Sequence, residues 1–213
     1  MTDWIKRCLI VVLLSSVAPA PSFAQVTDVG ITGLGLLSLQ PIDESYVGSP
    51  YLSEGIGGAG PGFGAALSAV MPNGLVVMGE LTTARFEQEQ SGRLVPGDDL
   101  GDPAITQLHD TIVSALIGQS VASGRTRFQF VAGAGMVIDS PTVDGVGLYE
   151  DGFDDPSRFV LTGGIDMLHP ISSRSAFVLS ARYAHIARNE AAQYLGIGAH
   201  LYRFGAGIRI RLN

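Results

Sequence analysis

The chain has 213 residues, enough for one domain with a sizeable core. A formal net charge of −7 argues against nucleic acid as a partner, and a single cysteine excludes a disulfide framework. Only 15% of the residues are charged, 46% are hydrophobic and 28 are glycine, so the chain is apolar without being built for long helices.

Residues 1–24 read as a secretory signal peptide. Lys6 and Arg7 close a short basic segment, Cys8 to Val17 is almost wholly apolar, and Ser22-Phe23-Ala24 places small residues where a signal peptidase reads them. The apolar run is too short to span a bilayer as a helix. Cleavage after Ala24 is expected. It removes Trp4, Lys6 and Cys8, which leaves arginine as the sole strongly basic residue type and no thiol for metal or redox chemistry. Residues 25–213 are then expected to form one domain, with no second domain after it.

After the signal the sequence shows no helical period sustained over three turns. It predicts eight extended segments: Asp28–Leu39, Gly60–Met71, Leu75–Gln88, Thr111–Ala122, Thr126–Ile138, Ser157–His169, Ala176–Ala187 and Gln193–Leu212. Most have the length that a tilted strand needs to cross a bilayer. Short connections at Pro72-Asn73-Gly74, Ser123-Gly124-Arg125 and Pro170 to Ser175 alternate with connections that are longer on average, at Gln40–Ala59, Glu89–Asp110, Asp139–Pro156 and Arg188–Ala192. Asn-Gly between two apolar runs is a strong hairpin signal. Strict alternation of short turns and long loops, on an even number of strands, is the pattern of an up-and-down membrane barrel with both ends on the short-turn side. Most acids fall in or beside the long connections, with Asp98, Asp99 and Asp102 in one and Glu150, Asp151, Asp154 and Asp155 in another. They read as solvated outer loops, since no Asp-x-Asp-x-Asp-Gly calcium loop is present.

Within the strands a period of two separates two faces. Tyr202, Phe204, Ile208, Ile210 and Leu212 oppose Arg203, Arg209 and Arg211, and Phe128, Phe130 and Met136 oppose Arg127 and Gln129. Phe159 and Leu161 oppose Arg158 and Asp166, and Phe177, Leu179 and Tyr183 oppose Ser180 and Arg182. The first segment is ambiguous, and Val76 and Met78 share a face with Glu80. A soluble sandwich, or a periplasmic lipocalin-like binder, would alternate in the same way. Glycine on the polar faces, aromatics near strand ends and the loop alternation favour the membrane barrel, whose polar faces point inwards. Counting up from the short turns sets Glu80, Asp166, Arg182 and Arg209 at similar height. They are expected to form one lumenal ion-pair cluster that plugs the barrel, with Gly205 and Gly207 making room for Arg209. Arg158 and Arg203 are expected higher, and Arg211 either in the cluster or towards the periplasm.

Little points to catalysis. His109, His169, His185 and His200 show no metal-ligand spacing in sequence, and no serine elbow, phosphate loop or zinc motif occurs. The stretch GIGGAGPGFG opens no helix and reads as a loop leading into a closely packed strand. ARYAHIARNE, Ala181 to Glu190, resembles the strand that carries a catalytic His-x-Ser-Asn in outer-membrane lipid A deacylases, with His185 at the histidine position. Ala187 and Arg188 stand where the serine and asparagine would be, and Ala187 supplies no nucleophile. The chain as a whole resembles the small outer-membrane β-barrel family, OmpX-like and OmpA-barrel-like. The final strand FGAGIRIRLN carries the resemblance furthest: Gly207, Ile210 and Leu212 match the positions that the barrel assembly machinery reads, with Leu212 in place of the usual aromatic. The resemblance implies an all-β, eight-stranded antiparallel barrel in the outer membrane. Its partners would be outer-membrane lipid, the assembly machinery and an unidentified surface partner at the loops. No enzymatic activity, cofactor or metal is expected.

Overall fold

A computed structural model describes residues 26–42, 55, 57–90, 104–143, 146–147 and 157–212. The signal segment, its cleavage site and the acidic stretches Asp98–Asp102 and Glu150–Asp155 lie outside these residues. The strands are β1 (Asp28–Gln40), β2 (Gly58–Val70), β3 (Leu75–Gln90), β4 (Ala104–Ser123), β5 (Thr126–Val143), β6 (Val146–Gly147), β7 (Ser157–Pro170), β8 (Ser175–Ile186) and β9 (His200–Arg211). A short helix, α1 (Glu190–Tyr194), precedes β9. Every pairing is antiparallel, and the sheet closes. β1 pairs with β2 and also with β9, while β4 pairs with β5. Eight long strands thus form an up-and-down barrel, and the two-residue β6 extends one end of β5.

The short turns form where local chemistry demands them. Gly74 adopts φ 82° after Asn73, whose side-chain oxygen accepts a bond from the Leu75 amide at 3.0 Å. Gly124 turns β4 into β5 at φ 60°. The Ser172 hydroxyl accepts bonds from the amides of Arg174 and Ser175 at 3.2 and 3.0 Å between β7 and β8. The start of the first strand and the end of the last are tied at this rim, with the Leu212 amide on Val29 O and the Thr27 amide on Val70 O.

Three strands are longer than the sequence suggests. β3, β4 and β5 have 16, 20 and 18 residues, against 12 in β9. The β2–β3 pairing stops at Gly62↔Ala84 and the β5–β7 pairing at Ile138↔Ser157, but β3–β4 continues to Gln90↔Ala104 and β4–β5 to Thr106↔Val143. The three strands therefore rise as a wall above their neighbours. Asp110 and Asp139, the end residues of the expected connections Glu89–Asp110 and Asp139–Pro156, are strand residues that face one another in the β4–β5 register. Conversely, the last strand begins at His200 and not at Gln193. Asn189 starts α1 instead, its side-chain oxygen accepting the Ala192 amide at 2.8 Å and its carbonyl the Gln193 amide at 3.1 Å. Gly196 ends the helix at φ 63°, and the Ile197 amide bonds back to Ala192 O at 2.8 Å.

The helix turns the following residues into the barrel mouth. Ala192, Leu195, Ile197 and Leu201 are buried with Phe86, Leu108, Val137, Val160 and Ile186 in one apolar cluster at the end opposite the short turns. Near the short turns two smaller apolar clusters fill the lumen, one around Val76, Met78 and Leu116 and one around Leu34, Leu168 and Val178. Glu80 and Thr82 of β3 lie between these apolar layers, flanked by Met78 on one side and Ala84 on the other. Outside, large apolar side chains stand exposed: Ile31, Leu67, Leu81, Val113, Phe130 and Phe204 are each about half exposed, and Phe63 is 74% exposed.

Candidate functional site

The inward positions of the strands gather the charges. Among the described residues the buried carboxylates are Asp28, Glu80, Asp110, Asp139 and Asp166, and the buried guanidiniums are Arg158, Arg182, Arg203 and Arg209. Each sits on a strand that also carries exposed large apolar side chains on its opposite face, so the period of two turns the charge inwards. A charge taken from water needs a partner, and these groups meet in three tiers.

The central tier joins three of the four side chains expected to cluster. Arg182 Nε reaches Glu80 Oε2 at 3.2 Å, and Arg182 Nη2 reaches Asp166 Oδ2 at 2.8 Å. The same Nη2 lies 3.7 Å from Met78 Sδ. Arg203 completes the tier from β9, with Nη2 3.5 Å from Glu80 Oε1 and Nη1 bonded to Thr82 Oγ1. One carboxylate thus serves two arginines. Gly164 faces Arg182: a Cβ there would fall 2.7 Å from Arg182 Cδ and 2.2 Å from Ala181 O.

Arg209 does not join this cluster. It lies one tier lower, nearer the short turns, where its Nη1 reaches Asp28 Oδ1 at 2.8 Å and its Nε and Nη2 lie 3.4 and 3.3 Å from Ser68 Oγ. Strands in a closed barrel are staggered, so equal counts from the turn do not give equal heights. Asp28 also receives Arg127 at 3.0 Å and Arg211 at 3.2 Å, both from the more exposed rim. Room for Arg209 comes from Gly30, where a Cβ would fall 2.6 Å from the guanidinium carbon. Gly205 and Gly207 have other neighbours: a Cβ on Gly205 would meet Leu36, and one on Gly207 would fall 1.8 Å from Gly33 O.

The uppermost tier holds Arg158, whose Nε meets Asp139 Oδ2 at 2.5 Å, with Asp110 across the strand pair. It is set into the apolar cluster, since Leu108 and Ile112, both members of it, flank Asp110 on the same face of β4. Sequence reasoning missed both acids. The signal that could have found them is the continued alternation of Thr106, Leu108, Asp110 and Ile112, all buried.

The histidines lie elsewhere. His169 meets Thr126 Oγ1 at 3.1 Å beside the short turns. His185 and His200 are register partners on the outer face of β8 and β9, with ring centroids 5.3 Å apart. Their separation of fifteen positions in the chain hid this pairing from any search by spacing. Ala187, the position that a deacylase-like serine would occupy, is exposed and carries no nucleophile. Among the described residues no three histidines, cysteines or carboxylates are grouped as metal ligands.

No protein-family model matches the chain, and no curated protein matches it in sequence. Solved structures do. A major outer membrane protein from Thermus thermophilus superposes with a TM-score of 0.52 at 10% identity, covering 85% of this chain and 99% of that one. The outer membrane protein OprG from Pseudomonas aeruginosa gives 0.50 at 14% identity, covering 89% and 98%. Neisserial surface protein A gives 0.49 at 13% identity, covering 86% and 97%. At such identities the likeness is one of fold: this chain has the fold of the small outer-membrane β-barrels.

Proposed function

We propose that the chain is an integral outer-membrane protein with a sealed lumen and a structural or surface-interaction role, without enzymatic activity. A cleaved signal would export it and the barrel assembly machinery would insert it, with Gly207, Ile210 and Leu212 as the address. The observation that carries this reading is the inversion of the two faces. Among the described residues five carboxylates and four arginines are buried inside, while Phe63, Leu67, Leu81, Val113, Phe130 and Phe204 stand outside. In water that arrangement would be costly on both faces, whereas a bilayer satisfies the outside and ion pairing the inside. The sealed lumen is supported by the stack of apolar and charged tiers. A cavity of about 10 Å³ lined by Glu80, Gln129, Asp166 and Arg182 has room for about one water molecule.

Fractionation tests the membrane reading. The protein should stay with outer membranes through salt and alkaline washes, come out only with detergent, and migrate faster on gels before heating than after. Release without detergent would sink it. In planar bilayers the purified barrel should give no stable unitary conductance. Acyl release from lipid A that disappears in His185→Ala would overturn the non-enzymatic reading.

A further inference from the structure

His185 and His200 stand side by side in the β8–β9 register, just outside the Tyr183↔Tyr202 pair. Their ring centroids are 5.3 Å apart at an interplanar angle of 46°. An imidazole nitrogen binds zinc at about 2.0–2.1 Å, so two rings sharing one ion near the tetrahedral angle hold their centroids about 5 Å apart. The pair therefore already has the spacing of a chelate. Both rings are exposed and form the last register pair of the β8–β9 ladder, at the end away from the short turns, so an ion can reach them from the water beyond that rim.

Tyr183 supplies a second, independent feature. Its hydroxyl lies 2.8 Å from His200 Nδ1, and the two rings are nearly parallel at 21°. A ligating histidine commonly has its second ring nitrogen engaged by an oxygen, which fixes the ring and the tautomer. With Nδ1 held by Tyr183, Nε2 is the nitrogen left to face an ion. The backbone beneath is rigid, being paired strand on both residues, and the Ile186 amide bonds Ala199 O at 2.7 Å just beyond. Rigid strands position ligands better than loops do.

We propose that His185 and His200 form a two-imidazole clamp for a divalent transition-metal ion on the outer wall of the barrel, oriented by Tyr183. Two protein ligands leave coordination positions open for water, so the clamp is an exchangeable site and not a closed structural one. Imidazole nitrogen favours copper and zinc over magnesium and calcium. The clamp belongs to the β8–β9 wall itself and does not depend on whether lipid surrounds the barrel.

The test uses the untagged, folded chain in detergent, titrated with Zn²⁺ in a calorimeter and separately with Cu²⁺ followed by electron paramagnetic resonance. One equivalent should bind saturably, with a two-nitrogen hyperfine pattern for copper. His185→Ala and His200→Ala should each abolish this binding, and Tyr183→Phe should weaken it about tenfold or more. His109→Ala and His169→Ala should leave it unchanged. Heat-modifiable migration confirms that each variant is folded. Binding that survives both His185→Ala and His200→Ala, a single-nitrogen pattern, or the lack of saturable binding would overturn the proposal.

Discussion

Arg209 of the last strand meets Asp28 of the first at 2.8 Å, across the seam that closes the barrel. Both side chains are only 5% exposed. Removing one partner of a buried pair leaves an uncompensated charge and costs about 3–5 kcal/mol. Asp28→Asn is expected at the upper part of that range, because it leaves Arg209 only the neutral Ser68 hydroxyl, whereas Arg209→Ala leaves Asp28 the Arg127 and Arg211 guanidiniums. Urea unfolding in a lipid or detergent host, followed by circular dichroism, checks it. The double variant should lose less than the sum of the singles, and strict additivity would show that the two groups do not act together.

Leu81 and Val113 are paired on the outer face of β3 and β4, and both are about half exposed. On a soluble protein Leu81→Arg would be nearly neutral. On a lipid-facing wall near the bilayer midplane it should cost about 2–4 kcal/mol. Refolding yield and stability in vesicles measure this, and an unchanged yield would count against a lipid-facing β3.

Glycine positions on one seam should differ sharply. A Cβ on Gly207 would fall 1.8 Å from Gly33 O, whereas one on Gly33 would meet nothing within 4 Å. Gly207→Ala should therefore force the β1–β9 backbones apart, with a loss of about 1–3 kcal/mol typical of overpacking. Gly33→Ala should be tolerated. Equal thermal shifts for the two would contradict this seam geometry.

Asn189 caps the helix that turns Leu195 and Ile197 into the mouth. Asn189→Ala should cost about 1 kcal/mol. The loss should be local: amides from Ala192 to Ile197 should exchange faster, while those of the central strands stay protected. Uniform acceleration across the barrel would mean that the cap matters to the whole fold instead.

How far the sequence reveals this barrel depends on the contrast between its two faces. In β5, β7, β8 and β9 arginine, glutamine and aspartate oppose aromatic and aliphatic residues, and the faces can be read directly. In β1 to β3 the inside mixes apolar residues such as Leu34, Ala66, Val76 and Met78 with Thr32, Ser38, Ser68 and Glu80, so a hydrophobicity period cannot separate the faces. Arg182 could be matched to Glu80 and Asp166 by counting along strands. Arg209 could not be matched to Asp28 in this way, because stagger is a property of closure and not of any one strand. The His185↔His200 contact and the length of β4 are hidden for a related reason. Both depend on which residues of a neighbouring strand stand opposite, and register is not written in either strand alone.

The order in which the pairings can form follows from their spans. β4 and β5 meet across a turn of Gly124 and Arg125, starting from Ser123↔Thr126, whereas Gly30↔Arg211 joins residues almost a whole chain apart. Loop closure costs more entropy the longer the loop, so hairpins are the easy events and the seam is the hard one. A chain lacking only that seam has two unpaired edges, each able to recruit another copy until β1 and β9 find one another. Pulsed hydrogen exchange during insertion should protect β4 and β5 amides first and those of β1 and β9 last. The seam residues then act as a clock for maturation: until Arg209 reaches Asp28, the molecule is a curling sheet and not yet a barrel.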